Sequence, residues 1–203
     1  MTQLTILTGA SRGMGLAMAE QLCTPHHTLL CISRGSSEAL TTLAQKNGTT
    51  LIQWQADLAQ PEAVADKLKV WLQTLNGPTF SQAVLINNAG VIGHLGPIEQ
   101  ATASSVQQAL AINLAAPILL TQVFLQATRA WPAKRKVLQI SSGLGRRAMA
   151  ASAVYCATKA GLTISTEARR WMRRFHSSAP FRGGASSAPR RSPATSDPVR
   201  SLA

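Results

Sequence analysis

Short, mostly apolar segments of strand-like composition alternate with helical segments along the first 170 residues. Strands that are apolar on both faces are typical of a parallel sheet covered by helices on both sides. The alternation therefore predicts an α/β fold with about five parallel strands. The predicted strands cover residues 4–8, 28–33, 50–55, 82–87 and 136–141.

The helical segments contain recognisable start and stop signals. Asn47-Gly48 is a favourable helix end. The longest helix is predicted to begin at a cap on Ser104 or Ser105 and to be strained at Pro117. Polar residues interrupt its apolar stretch, which favours a buried helix over a membrane span. The predicted helices cover residues 14–23, 38–46, 61–75, 104–130 and 152–170.

The net charge of +12 is concentrated towards the end of the chain, where residues 165–203 contain 8 Arg and 2 acidic residues. A segment rich in Arg, Ser and Pro buries too little apolar surface to offset its ordering entropy. We therefore divide the chain into a folded domain, 1–168, and a disordered basic tail, 169–203. No nucleic-acid recognition motif accompanies the tail, so we do not expect nucleic acid as a partner.

A glycine-rich turn, Thr8-Gly9-Ala10-Ser11-Arg12-Gly13-Met14-Gly15, connects the first strand to the first helix. Glycines permit a tight turn and close approach of a pyrophosphate, which the helix N-terminus favours electrostatically. The alternative is an ordinary tight turn. Together with the alternation, the turn predicts a Rossmann-like doubly wound sheet in a three-layer α/β/α domain that binds a dinucleotide. The predicted contacts from this turn are Gly9, Ser11, Arg12, Gly13, Met14 and Gly15.

Arg34 follows the second strand, where NAD-selective sites usually place an acid that binds the ribose 2′-hydroxyl. Together with Arg12 it suits a 2′-phosphate, because guanidinium groups form bidentate bonds to phosphate. We expect NADP(H) rather than NAD; two solvated surface arginines are the alternative. Asp57, followed by Leu58, is expected either to contact the adenine edge or to cap the helix that begins near Pro61.

Tyr155 and Lys159 are four residues apart and therefore lie on one face of the last helix. A nearby ammonium favours a phenolate, which can exchange a proton with a carbonyl or alcohol oxygen. Ser142, beyond the fifth strand, could donate a hydrogen bond to the same oxygen. In isolation the Tyr–Lys pair could equally be a surface pair, so its interpretation depends on the complete set of motifs.

Over residues 1 to about 166 these motifs together resemble the short-chain dehydrogenase/reductase family. The matching pieces, in order, are Thr8-Gly9-x-x-x-Gly13-x-Gly15, Asn87-Asn88-Ala89-Gly90, Asn113, Ser142 and Tyr155-x-x-x-Lys159. Residues 93–99 and 140–147 resemble the sepiapterin reductase and benzil reductase branch, whose members reduce carbonyls or dicarbonyls with NADPH.

The resemblance implies a role for each matching residue. Tyr155 would be the general acid or base, and Lys159 would favour its phenolate and hold the nicotinamide ribose. Ser142 would position the substrate carbonyl. Asn113 would anchor a water that relays protons to Lys159; the alternative is a polar kink residue beside Pro117. The cofactor wall would be shaped by Asn88, Ala89 and Gly90.

Family members run longer than this chain and continue with a sixth strand, a substrate lid and a seventh strand. None of these is recognisable after residue 169, so we expect a C-terminally incomplete sheet with an exposed parallel edge. The abrupt change of composition suggests a shift of reading frame near residues 163–170. His94 is expected to be a surface loop residue.

The sequence thus predicts an oxidoreductase that reduces a ketone or dicarbonyl with NADPH, with Tyr155 as general acid. The alternative is a catalytically impaired remnant that binds nucleotide or a partner without turnover. The expected partners are a small carbonyl substrate and a second copy joined through the long helices, with no membrane. Three cysteines without metal spacing and the absence of a signal peptide indicate a cytoplasmic protein.

Overall fold

The computed structural model describes residues 2–177, which form a five-stranded parallel sheet with helices on both faces. The strand order is β3-β2-β1-β4-β5. In chain order the elements are β1 (Thr2–Thr8), α1 (Gly13–Leu22), β2 (His27–Ser33), α2 (Glu38–Lys46), β3 (Thr50–Gln55), α3 (Pro61–Thr74), β4 (Phe80–Asn87), α4 (Ala103–Leu110), α5 (Ala116–Ala127), β5 (Lys134–Gln139) and α6 (Ala153–Ser177).

The five predicted strands are confirmed, and α2 and β3 have their predicted bounds. The fifth strand was predicted two residues too late, because it begins at Lys134 and ends at Gln139. It pairs with β4 from Gln82 to Asn87, and no other strand within residues 2–177 pairs with it. An edge strand can direct Lys and Arg side chains to solvent. The basic residues at the start of β5 therefore gave no sequence signal for a strand there.

Two apolar layers separate the sheet from its helices, which confirms the three-layer α/β/α prediction. On one face Leu68 of α3 and Phe124 of α5 are fully buried against the sheet. On the other face Ala19 of α1 and Leu40 of α2 pack against β1 and β2. Each large apolar side chain buried in this way contributes about 1.5–3 kcal/mol.

The strand order reverses direction between β1 and β4, and hydrogen bonds from the two residues directly after β4 fix this junction. The backbone N–H groups of Asn88 and Ala89 both donate to Thr8 Oγ1 at 3.0 Å. The Asn88 amide Nδ2 donates to the Thr8 carbonyl at 3.0 Å. Ligands of doubly wound sheets bind at such a reversal, so these bonds set the geometry of the expected cleft.

The long helix differs from its prediction at both ends and in the middle. Its cap is Thr102, whose Oγ1 accepts from Ser105 N at 3.2 Å, so the caps predicted at Ser104 and Ser105 are wrong. A π-helical segment, Ala111–Ala115, separates α4 from α5, which ends at Ala127 rather than residue 130. Pro117 lies two residues after this segment and has no N–H to continue the regular helical pattern.

Within the described residues, one helix, Ala103–Ala127, is long and apolar enough to cross a membrane. In its most apolar window of 18 residues, 44% of the residues are buried inside the domain. The buried side chains include Leu120 and Phe124, which pack against α3 and the sheet. The helix therefore serves as a core helix of this fold.

The last helix extends beyond the predicted domain boundary at residue 168 and ends at Ser177. Neither Gly nor Pro occurs between residues 162 and 179, and Arg and Met favour helix, so no local signal ends the helix at residue 170. The first part of the predicted disordered tail is therefore helical. The remainder of the tail, residues 178–203, lies outside the described residues.

Replacing Thr8 with valine tests the junction between β1 and β4. Valine keeps the side-chain shape but cannot accept the two backbone hydrogen bonds, so the free energy of unfolding should fall by about 2 kcal/mol. Urea denaturation measures this change. The control is Thr42→Val, which removes an exposed hydroxyl on α2 and should cost less than about 0.5 kcal/mol. Equal losses in the two variants would contradict the role of Thr8.

His27, which is 5% exposed, should make the stability depend on pH. Its Nε2 lies 2.8 Å from Thr5 Oγ1, and burial lowers its pKa from the usual 6.5. Below pH 6.5 the unfolded chain binds a proton that the folded chain does not, so the free energy of unfolding decreases as the pH falls.

Urea denaturation at about pH 7.5 and at about pH 5.5 measures this decrease. His27→Gln cannot titrate, so the variant should lose less stability between the two pH values than the unaltered chain. The control is His26→Asn, which removes an exposed neighbour and should keep the full decrease, since Asn tolerates the positive φ of 58°. The same pH dependence in His27→Gln and the unaltered chain would refute this prediction.

Candidate active site

A cleft of about 340 Å³ opens at the carboxyl ends of the central strands, where the strand order reverses. Of the residues predicted from the sequence to contact a dinucleotide, twelve line this cleft, and the other two are Tyr155 and Lys159. The twelve are Gly9, Ser11, Arg12, Gly13, Met14, Gly15, Arg34, Asp57, Leu58, Asn88, Ala89 and Gly90. Sequence reasoning missed Ser33, Val91 and Ile112, which also line the cleft and have no motif of their own.

The glycine-rich turn packs so closely that side chains are excluded at two positions. Gly9 has a φ of +73°, and a Cβ there would lie 2.9 Å from Ala89 Cα. A Cβ on Gly15 would overlap the Gly9 carbonyl oxygen. Ala10 N also donates to Ser33 Oγ at 2.8 Å, which joins the turn to the end of β2. The turn therefore leaves an open cradle at the N-terminus of α1.

The charges around this cradle suit a dinucleotide that carries a further phosphate beyond its pyrophosphate. Arg12 precedes α1, whose first N–H groups have no side-chain cap and whose first turn has no acidic residue. Arg34 lines the same cleft after β2. Two guanidinium groups and a helix N-terminus all favour phosphate charge. The residues present therefore fit a dinucleotide that carries a 2′-phosphate.

Asp57 does not cap α3, so that alternative from the sequence is wrong. Its Oδ1 accepts from Ala59 N at 2.9 Å, and the residue that precedes α3 is Gln60. The bond closes the turn between β3 and α3. Asp57 and the buried Leu58 remain on the wall of the cleft, where contact with an adenine stays a prediction.

Asn113 lies in the π-helical segment and joins three parts of the structure. Its Oδ1 accepts from Val91 N at 2.8 Å, and its Nδ2 donates to Val91 O at 2.7 Å. The same Nδ2 donates to Thr158 Oγ1 of α6 at 3.2 Å. Sequence analysis predicted Asn113 but not its partners Val91 and Thr158, which depend on the packing of distant elements.

Lys159 is buried beside Asn113. Its Nζ donates to the Ile140 carbonyl at 3.0 Å, and only 4% of the residue is exposed. A Cβ on Gly90 would lie 3.3 Å from Asn113 Oδ1 and 3.6 Å from Lys159 Nζ, so Gly90 packs against both groups. Burial lowers the pKa of the Lys159 ammonium below its usual 10.5. A nearby anion would therefore stabilise this ammonium.

Tyr155 lies beside Lys159, whereas Ser142 lies in a turn that packs on the same helix and lines a neighbouring cavity with Thr163 and Glu167. Lys159 Nζ lies 5.7 Å from the centre of the half-buried Tyr155 ring. Leu144 N donates to Ser142 Oγ at 3.2 Å, and this fixes the short turn Gly143–Gly145. That turn packs on α6, where a Cβ on Gly145 would lie 2.8 Å from the Lys159 carbonyl oxygen.

The four predicted catalytic residues therefore lie on neighbouring elements at the same edge of the sheet as the cradle. His94 is exposed in the loop after β4, and its Nε2 lies 3.1 Å from the Pro97 carbonyl oxygen. This position agrees with its prediction as a surface loop residue.

Known proteins show the same sequence pattern. The chain is 35% identical to the benzil reductase ((S)-benzoin forming) of Bacillus cereus, over 80% of this chain and 65% of that protein. It is 32% identical to the sepiapterin reductase of Xenopus laevis, over 77% of this chain and 63% of that protein. The chain thus spans slightly less than two thirds of the length of these curated relatives.

A solved structure shows the same fold. It is a metagenomic short-chain oxidoreductase in complex with NADP, with a TM-score of 0.71 and 30% sequence identity, covering 85% of this chain and 76% of that one. The family model for short chain dehydrogenases matches residues 3–171. With the cradle, the strand order and the Tyr–Lys helix in place, this chain belongs to the short-chain dehydrogenase family.

Proposed function

We propose that this protein binds NADPH and reduces a ketone or dicarbonyl to an alcohol, with Tyr155 as the general acid. The observation that carries the proposal is that Asn113, Lys159 and Tyr155 lie at the same sheet edge as the phosphate cradle. The names of the relatives, benzil reductase and sepiapterin reductase, support carbonyl reduction. The solved neighbour that contains NADP supports the choice of cofactor.

The cofactor would be held by residues from three strand ends. Gly9 and Gly15 leave room for the pyrophosphate, and Arg12 and Arg34 would bind the 2′-phosphate. Lys159 would donate hydrogen bonds to the nicotinamide ribose. When bound, NADPH supplies the hydride that reduces the carbonyl carbon.

The proton comes from this chain's own side chains. Tyr155 donates its phenolic proton to the carbonyl oxygen as negative charge develops there. Ser142 Oγ accepts from Leu144 N, so its own hydrogen can be donated to the same oxygen. The Lys159 ammonium then stabilises the phenolate, and this anion in turn offsets the cost of burying the ammonium. Asn113 would anchor a water that returns a proton through Lys159.

A second candidate function is nucleotide binding without turnover. The outer edge of β5 favours this function. No strand within residues 2–177 pairs with that edge, so the proposed catalytic residues are less enclosed. An open site admits water and orders its substrate poorly.

We place the protein in the cytoplasm, since Cys23 and Cys31 are buried free thiols. Pairing with a second copy could use the apolar side chains that α5 and α6 expose, Ile118 and Ile164.

Tyr155→Phe should abolish carbonyl reduction while leaving cofactor binding intact, because phenylalanine keeps the ring and lacks the hydroxyl group that carries the transferable proton. With butane-2,3-dione as substrate, the rate of NADPH oxidation at the 340 nm absorbance band should fall by about a hundredfold or more. NADPH affinity, followed by its fluorescence, should stay unchanged. Unchanged turnover in the variant contradicts the role of Tyr155, and tight NADPH binding without turnover in the unaltered chain supports the second candidate.

Arg34→Asp should change the cofactor preference, because it replaces a phosphate-binding cation with an acid that suits a ribose hydroxyl. The Kd for NADPH should rise by about tenfold or more, since a charge-assisted hydrogen bond contributes about 1.5–3 kcal/mol. The Kd for NADH should change little or improve. The control is Arg129→Asp, an exposed arginine after α5, which should leave both constants unchanged. Equal NADPH affinity in both variants rules out the assignment of Arg34.

A further inference from the structure

The two edge strands of the sheet differ in charge. β5 contains three basic residues among its six, Lys134, Arg135 and Lys136, whereas β3, Thr50–Gln55, contains no charged residue and no proline. No strand within residues 2–177 pairs with the outer edge of either strand. Charged side chains and prolines commonly prevent an exposed edge from pairing with another chain. β3 is therefore the edge that is left open to pairing.

The backbone of β3 presents its outward hydrogen-bonding groups at alternate residues. Ala56 N donates to the Ser33 carbonyl of β2 at 2.8 Å, so the N–H of Ala56 points into the sheet. Successive residues of an extended strand direct their N–H and C=O groups to opposite sides. The backbone groups of Leu51, Gln53 and Gln55 therefore point outward, where the described residues provide no strand to receive them. These three positions are symmetric about Gln53.

The side chains of β3 turn to the two faces of the sheet and leave its outer edge open. Gln53 turns towards α2, where its Oε1 accepts from Ser37 N at 2.9 Å. Ile52 and Trp54 turn to the opposite face and pack against the apolar layer that contains α3. A strand that approaches β3 in the plane of the sheet would therefore meet backbone groups first.

An apolar groove of about 500 Å³ runs between β3 and α3 beside this edge. The Trp54 and Trp71 rings meet edge to face with their centres 5.6 Å apart, and Lys67 Nζ lies 4.5 Å from the centre of the Trp54 ring. Val70 of α3, which also lines the groove, is 62% exposed. Tryptophan is enriched among the residues that contribute most to protein interfaces, so the groove suits contact with another protein chain.

We propose that β3 pairs in antiparallel orientation with β3 of a second copy of this chain, with Gln53 on the two-fold axis. In this register Gln53 pairs with Gln53, and Leu51 pairs with Gln55 of the second copy, so every outward backbone group of the strand gains a partner. Ile52 then lies opposite Trp54 of the second copy. A β-branched residue opposite an aromatic residue is a stabilising cross-strand pair.

The charges favour a second copy as the partner. Two β3 strands meet without any charged residue, and the groove beside them carries one acid and one base, Asp66 and Lys67, so the two copies do not oppose each other with a net charge. Pairing of β3 with β5 of another copy would continue without closing, whereas pairing of β3 with β3 closes after two copies. The free edges of the resulting sheet within residues 2–177 are then the two β5 strands, which their Lys and Arg residues protect.

Cysteine cross-linking of the full chain tests the register. Gln53→Cys should form a disulfide between two copies when oxidised with copper phenanthroline, because the residue on the axis lies opposite itself. Gln55→Cys should cross-link at least about tenfold less, since its two copies would be separated by four residues, or about 14 Å, along the strands. The unaltered chain measures the background from its own three cysteines. Equal cross-linking of the two variants overturns the proposed pairing.

Sedimentation equilibrium of the full chain tests the strength of the pairing. Gln55→Pro removes an outward N–H twice across the axis and keeps the bonds to β2, so the dissociation constant of the dimer should rise by about tenfold or more. The control is Arg135→Pro on β5, where the inward N–H of Ile140 shows that residue 135 also points outward. Each variant also loses one side-chain hydrogen bond of 3.4 Å. The control should leave the dissociation constant unchanged, and an equal rise in both variants overturns the proposal.

A last pair of variants separates this interface from pairing through α5 and α6. Val70→Lys adds a cation to the groove of each copy and should reduce the Gln53→Cys cross-link by about tenfold. Ile164→Lys changes a side chain of α6 that is 63% exposed and should leave the cross-link unchanged. A chain that stays monomeric at all concentrations, or a dimer that Ile164→Lys dissociates and Gln55→Pro does not, overturns the inference.

Discussion

The hydrogen bonds between Thr8 and the two residues directly after β4 are the interaction on which the rest of the site depends. Thr8 Oγ1 accepts from both Asn88 N and Ala89 N, and the Asn88 side chain returns a bond to the Thr8 carbonyl. These bonds hold the glycine-rich turn against the segment after β4 so closely that a Cβ on Gly9 would meet Ala89. The phosphate cradle therefore results from strand order combined with two positions that exclude side chains.

A second set of bonds transmits this geometry to α6, which contains the proposed catalytic pair. Asn113 binds both backbone groups of Val91, just beyond the Thr8 junction, and also contacts Thr158 on α6. Lys159, one residue further, is fixed by the Ile140 carbonyl at the end of β5. The phosphate cradle and the proposed proton-transfer groups are thus connected through the backbone atoms of Val91 after β4 and Ile140 after β5. For this reason a small change in either segment should affect both the cradle and these groups.

The sequence predicted the parts of this structure that have local signals. The alternation of strands and helices, the glycine-rich turn and the spacing of Tyr155 and Lys159 were sufficient for the fold class and for most of the residues that line the cleft. The cap at Thr102 and the turn closed by Asp57 were not predicted, because neighbouring groups offered equally good local choices. The π-helical segment around Asn113 was not predicted either, since Asn113 bonds to Val91 and Thr158 of distant elements. The start of β5 was missed because an edge strand tolerates Lys and Arg.

A crystal structure of the full chain with NADP⁺ would show directly where the dinucleotide binds. We expect the pyrophosphate against the turn from Gly9 to Gly15, the 2′-phosphate between Arg12 and Arg34, and the nicotinamide end beside Lys159 and Tyr155. Electron density for the dinucleotide outside this cleft would contradict it. So would a Lys159 side chain that has left the Ile140 carbonyl and turned away from the bound ribose.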